Sequence, residues 1–141
     1  MTNQHGFWRH QFPAIAWAAV IFGISSLPGS VVPFSTPFQL DKLFHAGIFF
    51  VLCFLLNRAL FNQNHFPSLS DYHLVISLLI VIAYGVSDEL HQTVVPGRDP
   101  DFYDALADSL GGLACTFYLL LQKNRIEKRR DSSQDTRSQS P

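Results

Sequence analysis

With 48% hydrophobic and only 15% charged residues among 141, the chain carries too little charge for the surface of an ordinary soluble domain. A net charge of -1 gives no case for nucleic-acid binding, and no nucleic-acid partner is expected. Two cysteines, Cys53 and Cys115, lie in apolar segments without metal-ligand spacing and read as small packing residues.

Four apolar stretches follow in chain order, over residues 12–27, 41–60, 73–95 and 104–121. Each approaches the ~20 residues that cross ~30 Å of hydrocarbon at 1.5 Å per residue. Inside a bilayer the backbone must satisfy its own hydrogen bonds, so each stretch reads as a transmembrane helix. The first also fits a signal peptide, because Arg9 precedes it and Ser25 and Ser26 end it. Trp17 within the run and the prolines after it favour a retained helix, and its removal would leave an odd number of spans. Pro28, Gly29, Pro33 and Pro37 keep the first connection non-helical. The second, residues 62–71, is polar with Pro67, and Pro96, Gly97 and Pro100 break the third. After Lys123 the chain turns basic and then rich in Ser, Gln and Asp, which reads as a disordered tail. The chain thus divides into a segment 1–11, a membrane domain 12–122 and a tail 123–141. The fold class is all-α, an integral membrane four-helix bundle.

An even number of spans puts both termini on one side. That side carries Arg9, Arg58, Lys123, Arg125, Lys128, Arg129, Arg130 and Arg137, against Lys42 and Arg98 on the other. The excess predicts that both termini are cytoplasmic.

With that topology Asp41, Asp88, Glu89, Asp99, Asp101, Asp104 and Asp108 gather at the extracytoplasmic face, with Lys42, His45, His91 and Arg98. By helix rise, His45 lies ~20 Å and Asp41 ~26 Å beyond Arg58. Asp88 lies ~24 Å beyond Tyr72, and Asp108 and Asp104 lie ~22 Å and ~28 Å before Lys123. Several of these groups therefore fall within the outer leaflet, where an unpaired charge costs at least ~2.5–3.5 kcal/mol. Asp41 and His45 share one helix face, as do Tyr84, Asp88, His91 and Val95, with Gln92 beside them. Asp104 and Asp108 share a third face with Gly111, Gly112 and Cys115, whose small size allows close backbone approach. The spacing predicts that these faces meet inside the bundle, with Asp88 the most deeply committed partner. Plainer roles are open to each group: Asp41 opposing a helix dipole, Asp104 as an N-cap, Asp88 as a partner for Lys42 or Arg98.

Carboxylates beside histidine suit acid-base work, with Asp88, His45, Glu89 and His91 as the groups to carry it. The expected binding set is Asp41, Lys42, His45, Asp88, Glu89, Gln92, Arg98, Asp104 and Asp108. Lys42 and Arg98 suit a phosphate head group. No HExxH or Cys-pair spacing is present, so no metal ligands are assigned and no cofactor is expected. A divalent cation among the carboxylates is the one exception left open. The chain has no GxSxG elbow and no phosphate loop, which argues against a serine hydrolase or a nucleotide enzyme.

Taken in order, five motifs resemble the VanZ-like family of bacterial membrane proteins. They are Ser25-Ser26-Leu27-Pro28, Asp41-Lys42-x-x-His45, Asp88-Glu89-x-x-Gln92, Pro96-Gly97-Arg98 and Asp104-x-x-x-Asp108-x-x-Gly111. Together they run from the first apolar stretch through the fourth. The chain departs from the family at Asp108, where Asn is usual; an amide donates and accepts, whereas an ionised carboxylate only accepts. The resemblance implies a multi-pass protein of the bacterial inner membrane with a cell-envelope role. The family's name links it to resistance against glycopeptides of the teicoplanin type. Beyond the lipid bilayer, the expected partner is a lipid head group or envelope precursor bound or acted on in a polar pocket. Two alternatives stand beside it: a membrane enzyme doing acid-base chemistry on a lipid-linked phosphate, and an assembly partner with no site.

Overall fold

A computed structural model describes residues 6–31, 38–63 and 65–138, with no strand among the described residues. Helix α1 (Phe12–Ser25) continues from a π-helical segment, Phe7–Gln11. Then come α2 (Phe38–Phe61), a short α3 (Pro67–Asp71), α4 (His73–Gln92) and α5 (Phe102–Ser138). Among the described residues three stretches are long and apolar enough to cross a membrane: Leu40–Phe61, His73–Gln92 and Phe102–Arg129. Helix α1 has 14 residues and ends before Pro28. Its rise of about 21 Å falls short of ~30 Å of hydrocarbon, so it is shorter than the span expected over residues 12–27.

Two elements depart from the sequence reading. The polar second connection contains α3, started by Pro67 at its first position, where the missing N–H costs nothing. The tail expected to be disordered from Lys123 continues as helix to Ser138. Lys, Arg, Glu and Gln are good helix formers, and extending an existing helix requires no new nucleus. Pro33, Pro37 and Asn64 lie outside the described residues.

The long helices present an inverted surface. Leu43, Phe44, Leu79, Leu90 and Phe117 are exposed, whereas Ser77, Asp88, Glu89, Gln92, Asp104 and Asp108 are buried. A water-soluble fold would place these groups the other way round, and lipid removes the reason to do so. The apolar centre is Ile21, Phe49, Leu52, Cys53, Val81 and Cys115, contributed by α1, α2, α4 and α5.

Close packing depends on absent side chains. At Gly111 of α5 a Cβ would collide with the backbone carbonyl oxygen of Ala46 on α2. Gly112 meets Val81 of α4 in the same way, 2.8 Å from its Cγ1. Helix α1 is tied to its neighbours by hydrogen bonds to backbone carbonyls. Trp17 Nε1 donates to Ile48 (3.1 Å), and Tyr84 Oη donates to Ala18 (2.7 Å). Beyond α1, the Gly29 amide donates to Pro96 (3.1 Å), and Gly97 turns with φ +73°. That clasp fixes the Pro96-Gly97 turn above the helix ends.

Candidate functional site

The start of α2 places Asp41, Lys42 and His45 within its first two turns. Across from it, α5 begins after Asp101, whose Oδ1 accepts from the Tyr103 amide (2.8 Å) and serves as the N-cap. Asp104, read from sequence as a possible cap, lies within the first turn of the helix and is buried.

Lys42 binds these acids together. Its ammonium bonds Asp101 Oδ2 at 2.6 Å and Asp41 Oδ2 at 3.4 Å, and also Asp104 Oδ1. One turn further along, His45 Nδ1 faces Asp108 Oδ1 at 3.0 Å, and its Nε2 lies 3.7 Å from Asp104 Oδ1. The i, i+3 spacing of Lys42 and His45 on α2 and the i, i+4 spacing of Asp104 and Asp108 on α5 thus pair two levels: Lys42 with Asp104, then His45 with Asp108. The Lys42 ammonium holds the Asp101 carboxyl below the usual carboxylate range, with the Tyr103 amide adding to the effect.

Helix α4 supplies the third wall. Gln92 Nε2 donates to Asp88 Oδ2 (3.4 Å) and Glu89 Oε1 (3.3 Å), while Glu89 Oε2 accepts from the Asp101 amide (2.8 Å). The same α4 face carries Gly85, where a Cβ would come within 3.0 Å of Asp108. The missing side chain leaves room for that carboxylate between the helices.

Eight of the expected binding residues therefore gather at one end of the helices: Asp41, Lys42, His45, Asp88, Glu89, Gln92, Asp104 and Asp108. Arg98 does not bond these carboxylates. Its Nε and Nη2 donate to the carbonyls of Leu27 (3.2 Å) and Ile24 (3.3 Å), neutralising the end of α1. His91 also turns to α1, with Nε2 3.0 Å from Ser26 Oγ and its ring 4.7 Å from that of Phe22. The reason is azimuth: successive α4 residues advance around the helix, so Glu89 and Gln92 face α5 when His91 faces α1. Asp88 is buried, but Asp108 is the more deeply committed acid, fully enclosed and directly bonded to His45.

Asp101 belongs to the cluster although the expected binding set omits it. Its position immediately before an apolar run, two residues ahead of the Tyr103 amide, was the available signal. Ser26, the partner of His91, carried no signal in spacing.

Two trios have ligand-type atoms all within 4.8 Å of one another: Asp41, His45 and Asp104, and His45, Glu89 and Asp108. His45 belongs to both. Flanked by carboxylates, it can exchange a proton with a group entering the cluster, and the acids can accept hydrogen bonds from amines, amides or hydroxyls.

Among known protein families, the one described as VanZ/LLP1 matches residues 4–122. No curated protein and no solved structure matches the chain.

Proposed function

The chain belongs to the VanZ/LLP1 family of membrane proteins, and from that premise we propose a pocket that binds, or acts on, a polar envelope component. In this proposal the protein crosses the bacterial inner membrane four times, the first crossing using the continuous helix over residues 7–25. Both termini are cytoplasmic, and the pocket opens at the extracytoplasmic leaflet. One observation supports the pocket above all. Helices α2, α4 and α5 direct ionisable side chains into one buried cluster while exposing leucine and phenylalanine on their other faces. Ionisable groups kept at a cost in an apolar setting mark functional sites by default.

The charge balance sets the ligand chemistry. Asp41, Asp88, Glu89, Asp101, Asp104 and Asp108 stand against Lys42 and His45, and Arg98 is engaged elsewhere. Such a pocket favours a head group presenting ammonium, amide or hydroxyl donors over a bare phosphate. The enzymatic alternative draws its support from His45, held between Asp104 and Asp108 as an acid-base group would be.

The test uses the full chain in nanodiscs of bacterial envelope lipids, with bound lipid read by native mass spectrometry. Wild type is expected to retain a polar-headed lipid, and Lys42→Met and His45→Gln are expected to lose it at unchanged protein level. The same variants expressed in a susceptible bacterium are expected to lose any protection against teicoplanin. Retention of lipid by both variants contradicts the pocket.

A further inference from the structure

Asp108 poses a problem that the pocket alone does not solve. Its side chain is completely buried, and Oδ1 faces His45. Its other oxygen, Oδ2, has no hydrogen-bond partner among the described residues. An ionised carboxylate oxygen left alone in an apolar interior is strongly disfavoured. Oδ2 faces α4 at Gly85, and Glu89 lies one turn further along that helix. One nitrogen of His45, one oxygen of Glu89 and one of Asp108 all lie within 4.8 Å of one another.

We propose that His45, Glu89 and Asp108 form a site for one divalent transition-metal cation, Zn2+ or Mn2+. This site deepens the pocket proposed above and depends on it for its role. Ligands sharing an ion at ~2.0–2.2 Å stand roughly 3–4 Å apart, so small side-chain rotations close the triad. Glu89 is already oriented from behind by the Asp101 amide and by Gln92, as ligating carboxylates are. The outer trio, Asp41, His45 and Asp104, is unsuitable because the Lys42 ammonium already bonds both of its acids. The inner triad sets two carboxylates against one imidazole, and a dication supplies the positive charge and the partner that Oδ2 requires. One imidazole with two carboxylates is a mixed nitrogen and oxygen set, which suits Zn2+ or Mn2+ over softer ions. Three protein ligands leave a coordination position for a ligand of the pocket. With the cation in place, the anionic pocket becomes able to receive a phosphate.

The probe is the metal alone. Full-length protein in detergent is stripped with EDTA, exposed to Zn2+ or Mn2+, and freed of unbound ion. Elemental analysis is expected to find about one ion per chain, with a rise in Tm on loading. Asp108→Asn and Glu89→Gln each remove a ligand at nearly constant volume and are expected to weaken binding at least ~10-fold. Asp41→Asn, in the outer trio, is expected to keep full occupancy. Wild type that takes up neither ion overturns the proposal, because a proton then balances the triad. Full occupancy in a folded Asp108→Asn overturns it too; should that variant not fold, full occupancy in Glu89→Gln has the same force. Stripped wild type that retains its lipid but takes up no metal removes the metal site and leaves the pocket intact.

Discussion

Single side chains show how the cluster is balanced. Asp101 caps α5 with one oxygen and meets Lys42 with the other. Because its pKa is lowered on folding, its pairing stabilises the protein above the unfolded value of about 3.9 and is lost as pH falls through the folded value. Asp101→Asn keeps a capping oxygen but loses the charge. The variant is expected to melt slightly below wild type at pH 7, by an amount typical of an exposed ion pair, about 0–1 kcal/mol. The two Tm values are expected to converge as pH falls below 4; a difference that persists unchanged would show that the ion pair contributes nothing. Residue identities and depths in the cluster were legible beforehand, since helix rise alone puts Asp41, His45, Asp88 and Asp104 near one level. Partners were not. Rotation around α4 separates Glu89 from His91, and Arg98, on a turn, was free of any periodicity that could aim it.

At the scale of elements, the contact between α2 and α5 carries the arrangement. Gly111 sits against the Ala46 backbone, one turn from Asp108 and level with the residue that follows His45. Gly111→Ala is expected to cost roughly 3 kcal/mol, at the upper end for overpacking, because a backbone carbonyl cannot move aside. Gly112→Ala meets a Val81 methyl and a Leu78 methyl instead, and is expected to cost about 1 kcal/mol, since side chains can shift. Thermal unfolding in detergent checks the order; equal effects would mean that backbone contact does not control this interface. Apolar runs placed the long helices well: residues 41–60 against Phe38–Phe61, and 73–95 against His73–Gln92. They failed at the ends of the chain. Composition after Lys123 indicates solvation, not conformation, and so cannot distinguish a solvated helix such as the end of α5 from a coil.

For the whole molecule, the asymmetry of Lys and Arg supports the proposed orientation with both termini cytoplasmic. Reporter fusions after Asn64 and Lys128 are expected to signal cytoplasm, and a fusion after Ser35 the opposite side. A cytoplasmic signal at Ser35 would overturn that orientation. Separate helices deliver opposite charges to one site, and a double-mutant cycle across Lys42 and Asp104 tests that arrangement most directly. Lys42→Met, Asp104→Asn and the double variant are compared by unfolding free energy in detergent. A coupling of about 0.5–3 kcal/mol is expected, because Lys42 and Asp104 are directly bonded members of one partly buried charge network. Additivity within about 0.3 kcal/mol would show that Lys42 and Asp104 act independently and do not share a site.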